Sequence, residues 1–447
     1  MIIFDLSRLI SRAGRETPTG IDRVELAYAE YLLAGNDPLC LTMLTPLGRF
    51  GVLPRAAAEE YIRALASAWR HADSSEQLRR ARRLARSLRL TALISGERAV
   101  RRLANGEASQ PVYLLVSHHH LENYRVIARL KQQARFVCLI HDLIPIEFPE
   151  YALPGQDQKH RRRIETAAAL ADAVIVNSIV TRDGFYPYVA TAGRSLPVLV
   201  APFGVEFSGG PPRGPSPLEP PYFVCVNTIE ARKNHLLLLN LWRSLVQEFG
   251  TATPRLVLIG QRGWETENAI DMLERCPALR GVILEYSDLP DTEVMRLVKG
   301  AQAVLLPSFA EGFGFPLLEA LALEVPVLCS DLAALRENGG EVPEYLDPLD
   351  GLGWRAAVLD YSDPASPRRA AQMRRLSNWR APTWRDHFAS VEALIAETRA
   401  LRQPSIACGG PSAPRRSRLT LMRPRKYGDR FTEGSGDGRN TAPQWRN

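Results

Sequence analysis

Glu311 and Glu319 frame a glycine-rich turn in the run EGFGFPLLE. A strand pattern at 304–306 precedes it, and Pro316 suits the first turn of a helix, where its missing N–H costs little. Gly312 and Gly314 let the backbone approach a ligand closely. The N–H groups at the helix start favour an anion there, as a diphosphate would provide. Glu311 lies just before that anion site, and Glu319 about two turns beyond it at ~3.6 residues per turn. Two carboxylates on one cleft can hold sugar hydroxyls by charge-assisted hydrogen bonds. For Gly-Phe-Gly alone, an ordinary turn with solvated glutamates would be the simpler reading.

A second cluster lies in VNTIEARKNH, 226–235. Asn234 is a good N-cap residue for the Leu-rich helix that follows. Arg232 and Lys233 then stand at a helix start, where two cations make a site for a diphosphate leaving group and for the charge that grows on it. Asn227 and Thr228 open the same loop, and Gly260 ends the next strand. The alternative is a basic turn that is merely solvated. His141 ends the strand 136–140 in FVCLIHDLIPIEFPEY. It is either a cleft residue or a structural hydrogen-bonder. In TPTGIDRVE, 17–25, Gly20 frees the turn, while Asp22 and Arg23 either touch an acceptor or cap the helix. His118, first of three consecutive histidines after the strand 112–116, is a candidate for the acceptor side. These histidines lack Cys or carboxylate partners at metal spacing, and no Asp-x-Asp occurs in the chain, so no metal is expected.

The elements that must position these residues alternate between short strands and amphipathic helices. Strands are expected at 2–5, 112–116, 136–140, 173–177 and 198–201, and then at 222–226, 255–259, 282–284, 303–306 and 326–329. Helices are expected at 21–33, 121–133, 162–171, 234–249, 291–299 and from 316. Such alternation argues for parallel sheets with crossover helices. The expected class is α/β, with two Rossmann-like doubly wound domains facing across a cleft. The domains span 1–205, with a helical Arg-rich insertion at about 55–103, and 222–383. A Pro- and Gly-dense linker covers 206–221, a closing helix 384–401, and a disordered basic tail 402–447. In such sheets ligands bind beyond the carboxyl ends of the strands.

Composition excludes several classes. The tail from Arg402 carries 10 Lys and Arg against 3 Asp and Glu, while the remaining chain is balanced at 46 against 46. The net charge of +7 is therefore no nucleic-acid footprint of the folded body. Six scattered cysteines without a CxxC pair argue against disulfides or zinc and suit a reducing compartment. Without a signal peptide or a spanning run, the chain reads as cytoplasmic. Arg79, Arg80, Arg82, Arg83, Arg86 and Arg89, with Leu84, Leu88 and Leu90 among them, either form a solvated helical face or lie on an anionic inner-membrane surface.

The Glu-x7-Glu run followed by PV and a Ser-Asp pair resembles the retaining glycosyltransferase family 4, of GT-B fold, and the resemblance covers roughly 1–401. It implies that Glu311 contacts the transferred sugar, that Gly312, Phe313, Gly314 and Phe315 meet sugar and phosphates through their backbone, and that Glu319 holds the nucleotide ribose. Lys233 matches the family's phosphate-binding Lys in Glu-x-Arg-Lys-Asn. Asn227 stands where many members have a further Arg, which makes Arg232 the substitute cation. His141 would lie near the sugar's primary hydroxyl, and the Gly20 loop over the donor phosphates. Glu324 departs from the family's usual Gly before the PV strand. HDLIP followed by FPEY is similar to mannosyltransferase-like members of bacterial polysaccharide synthesis. The resemblance thus implies metal-independent, retaining transfer from a nucleotide sugar (a GDP- or UDP-sugar, with GDP-mannose the first choice) to a glycan or lipid-linked acceptor, with no permanently bound cofactor. The rivals are an epimerase-type GT-B enzyme, a phosphorylase, which would need a pyridoxal-phosphate lysine, and a catalytically silent carbohydrate-binding protein.

Overall fold

The computed structural model describes residues 1–70, 75–105 (97–105 as backbone alone), 110–205, 207 and 214–400. The tail 402–447 and linker residues 206 and 208–213 lie outside the described residues. The first sheet contains β1 (Ile2–Asp5), β2 (Leu39–Leu44), β3 (Phe50–Leu53), β4 (Val112–Leu115), β5 (Arg135–Ile140), β6 (Ala173–Val176) and β7 (Val198–Val200), in the order β3-β2-β1-β4-β5-β6-β7. The second contains β8 (Tyr222–Val226), β9 (Arg255–Ile259), β10 (Ile283–Tyr286), β11 (Ala303–Leu306), β12 (Val327–Ser330) and β13 (Glu344–Leu346), in the order β10-β9-β8-β11-β12-β13. Every pairing is parallel except β2 with β3. The central strands read as continuous apolar runs because helices cover both faces of each sheet.

Each sheet has one place where the strand order reverses. In the first it lies between β1 and β4, and in the second between β8 and β11. Loops leaving neighbouring strands there turn opposite ways and open a crevice. The four loops that do so carry Gly20, His118, Lys233 and Glu311. Topology thus gathers residues that lie up to almost 300 positions apart in sequence.

The Arg-rich insertion is part of the first core. Its helices Arg55–Arg70 and Ser75–Asn105 pack on each other, and the second packs over β3. Tyr61, Leu65, Ala81, Ala85, Leu88 and Ala92 are buried there. The helix Trp384–Ala400 returns to the first half, where Phe388, Val391, Leu394 and Ile395 complete the same core. The two crossings between halves lie side by side: the Val205 N–H donates to Pro382 O at 3.0 Å, and Gly204 packs against the backbone of Trp384. His387 Nδ1 lies 3.1 Å from Pro202 O in the same seam.

Several elements differ from their sequence readings. The helix expected at 162–171 begins earlier and spans Gln156–Leu170, and that expected at 121–133 shortens to Tyr124–Lys131. Asn234 does precede the helix His235–Phe249, but at φ +55° its side chain makes no cap and donates to Pro348 O instead. Glu324 has φ +59°, the left-handed conformation that a glycine would adopt without strain.

Candidate active site

The loop after β8 ends in a single turn, Ala231–Lys233, which points Lys233 at the loop after β11. Lys233 Nζ donates to Glu311 Oε1 at 2.6 Å, and Ser308 Oγ donates to the same oxygen at 2.7 Å. Arg232 Nη1 reaches Glu311 Oε2 at 3.3 Å and Ala310 O at 2.7 Å, while Nη2 donates to Glu230 Oε1 at 2.6 Å. Burial pushes the Glu311 carboxyl up, but Lys233 and Arg232 outweigh it and hold the group down at about 2. For Lys233, burial and the charge of Arg232 prevail over Glu311, and the ammonium sits below its ordinary value. Two cations and two carboxylates therefore balance before any ligand arrives. Arg232, the substitute cation of the sequence reading, lines the cavity with its guanidinium held by Ala310 O, Glu311 and Glu230.

Beyond Glu311 the chain passes Gly312 to Phe315. A Cβ on Gly312 would lie 2.8 Å from Asp142 Cβ in the opposite half, so glycine permits the two strand ends to meet. Gly314, at φ +88°, is the N-cap of the helix Phe315–Ala322. The Leu317 and Leu318 amides fold back on Gly314 O, and Pro316 has none. The amides of Gly312 to Phe315 have no acceptor among the described residues. Such a run of open N–H groups can receive an anion. The Phe313 and Phe315 rings turn away and pack on Phe203. The Glu319 carboxylate has no hydrogen-bond partner among the described residues, and the residue lines the cleft; burial raises its pKa, and Arg23 opposes that rise.

The facing wall belongs to the first half. His141, 5% exposed, places Nε2 at 2.8 Å from Val116 O. A carbonyl only accepts, so Nε2 carries the proton and Nδ1 keeps its lone pair. Burial lowers its pKa to about 4, which leaves the ring neutral near pH 7. His118 lies behind it: its Nε2 accepts the His141 N–H at 3.1 Å, which replaces the expected acceptor contact with a positioning one. Asp22 is fully buried and forms a capping box with Thr19, so of its two sequence readings the cap is the observed one. Arg23 spans the cleft to Asp291 in a bidentate pair at 2.8 and 2.6 Å.

One cavity of about 1860 Å³ joins these parts. Gly20, Arg23, Asn227, Thr228, Gly260, Lys233, Arg232, His141, the run Glu311–Phe315 and Glu319 all line it; His118 and Asp22 do not. It is also lined by Arg8, which the sequence reading missed. Arg8 follows β1 by three residues, at a reversal of strand order that only the structure shows. Among the described residues no three His, Cys, Asp or Glu side chains are grouped to hold a metal.

Comparison with known proteins gives this geometry a lineage. Residues 211–338 match the family described as glycosyl transferases group 1. O-antigen chain mannosyltransferase B of Escherichia coli is 34% identical over 214 residues, covering 48% of this chain and 52% of that protein. The serotype-specific mannosyltransferase WbdA of Escherichia coli is 24% identical over 275 residues, covering 57% of this chain and 34% of that protein. The chain thus spans about half or less of these relatives' length. The crystal structure of Anabaena HepE in complex with UDP matches 90% of this chain and all of that one, with a TM-score of 0.55 at 12% identity. The chain carries a glycosyl transferases group 1 domain in a GT-B fold and is a homologue of O-antigen mannosyltransferases.

Proposed function

We propose that the chain transfers a sugar, mannose from GDP-mannose being the first choice, to a glycan or lipid-linked acceptor at the cytoplasmic face, with retention and without a metal. The observation that carries the reading is the Lys233–Glu311 pair beside the open amides of 312–315, facing His141 across one cavity. A diphosphate leaving group would bind at the amides and draw Lys233 from Glu311. The bond between the anomeric carbon and the phosphate oxygen breaks while a bond to the acceptor oxygen forms on the same face. The departing phosphate takes the acceptor's proton. Lys233 and the amides stabilise the charge that grows on it. Glu311 and the Nδ1 lone pair of His141 would accept hydrogen bonds from the sugar's hydroxyls.

The test supplies GDP-mannose, GDP-glucose or a UDP-sugar, with or without a mannose-terminated oligosaccharide. Nucleoside diphosphate should appear only when acceptor is present, and NMR should report an α-linked product from the α-linked donor. Conversion of the donor sugar without acceptor would select the epimerase reading. Absence of any turnover, with sugar binding intact, would select the silent binding protein.

A contact with an anionic lipid surface has support of its own. No helix of the described residues is long and apolar enough to cross a membrane. On the helix Ser75–Asn105, Leu88 turns inward, Arg82 donates to Gly14 O and Arg89 to Ile10 O, and Arg80 pairs with Glu60. The outward stripe left over runs from Arg83 and Arg86 to Leu90, Leu93 and Ile94, the three apolar side chains being 63%, 46% and 87% exposed. Cations followed by apolar side chains fit a headgroup boundary. Flotation with phosphatidylglycerol vesicles should be lost in a Leu90→Glu, Ile94→Glu variant; flotation equal to wild type would count against the contact.

A further inference from the structure

We infer that Arg8 is the second cation of the diphosphate site, supplied by the half of the molecule opposite Lys233. The inference rests on the donor reading above and extends it to a residue outside the 312–319 and 227–234 segments.

Arg8 sits at the reversal of strand order in the first sheet, three residues past β1. Its Nε donates to Asp22 Oδ1 at 2.7 Å and its Nη2 to Thr19 Oγ1 at 3.2 Å. Asp22 and Thr19 are themselves locked in a capping box, so the guanidinium is held on two sides before a ligand arrives. Its Nη1 has no acceptor among the described residues, and the side chain lines the cavity. Arg8 and Arg12 share the single carboxylate of Asp22, at 2.7 and 3.4 Å. The Thr19–Gly20 turn that holds Arg8 comes up against the start of the helix Phe315–Ala322 from the other half: a Cβ on Gly20 would lie 3.4 Å from the Phe315 ring.

Charge supports the same assignment. Lys233 and Arg232 are matched by Glu311 and Glu230, and Arg23 is engaged by Asp291. A nucleoside diphosphate brings at least two negative charges into this balanced cluster. A guanidinium with a free edge is suited to phosphate oxygens. Arg8 presents that edge on the wall opposite the helix start, so a diphosphate between the two would be gripped from both halves.

Isothermal titration of the full chain with GDP and with UDP tests this. Arg8→Gln should weaken the nucleotide that binds by about ten- to a hundredfold, the scale of a lost charge-assisted hydrogen bond, with an unchanged thermal melt. Arg12→Gln, which touches the same carboxylate from outside the cavity, should bind as wild type. A double variant, Arg8→Gln with Asp22→Asn, should stay weak. Affinity of Arg8→Gln within twofold of wild type overturns the inference. So does an equal loss in Arg12→Gln or rescue by Asp22→Asn, because either would mean that Arg8 only balances Asp22. Failure of both nucleotides to bind the wild-type chain overturns the donor reading, and this inference with it.

Discussion

Lys233→Ala is expected to lower turnover by about two to three orders of magnitude, the scale set by removing one preorganised donor from a developing charge. The fold should survive. Glu311 would keep Ser308 and Arg232 as partners, so no buried carboxylate is stranded. Steady-state kinetics beside a thermal melt separates the two effects. Because the ammonium would act mainly on the leaving group, kcat should fall more than the donor KM rises. Near-normal turnover in a folded Lys233→Ala protein would sink the proposed mechanism.

Glu311→Gln should change the pH dependence as well as the rate. Burial and Arg232 already lower the Lys233 pKa, and Glu311, with a smaller part from Glu230, raises it. Removing that negative charge lets the ammonium lose its proton at lower pH. The alkaline limb of kcat/KM should therefore move to lower pH. On the acid side the sign is opposite. Glu311 is depressed from 4.5 to about 2, so it stabilises the fold above pH 4.5 and that contribution disappears as pH falls toward 2. The variant should lack this acid dependence. Superimposable pH–rate profiles for the two proteins would show that Glu311 does not set the charge of Lys233.

Much of the scaffold was legible because buried parallel strands are apolar throughout and their crossover helices are not. That contrast located β1, β4, β5, β8, β9 and β11, and with them the loops that line the cavity. What escaped had weaker patterns. The helix Ile179–Thr191 contains Pro187, which reads locally as a break. The hairpin of β2 and β3 is short, and its pairing is visible only in three dimensions. In the site, loop membership was readable while hydrogen-bond partners were not. Asp22 and Arg23 are adjacent in sequence, yet one is the helix cap and the other crosses to Asp291. His118 and His141 both follow strands, yet one supports the other. Arg8 was passed over because a lone arginine beside a strand carries no motif.

The return of the helix Trp384–Ala400 to the first half gives the molecule two covalent tethers instead of one. Val205 and Pro382 hydrogen-bond to each other, which fixes the two crossings side by side at that point. A proteolytic nick in either tether leaves the halves joined by the other. A truncation before residue 384 removes a wall of the first core, so the halves are no more separable as folding units than the site they share is as a chemical one.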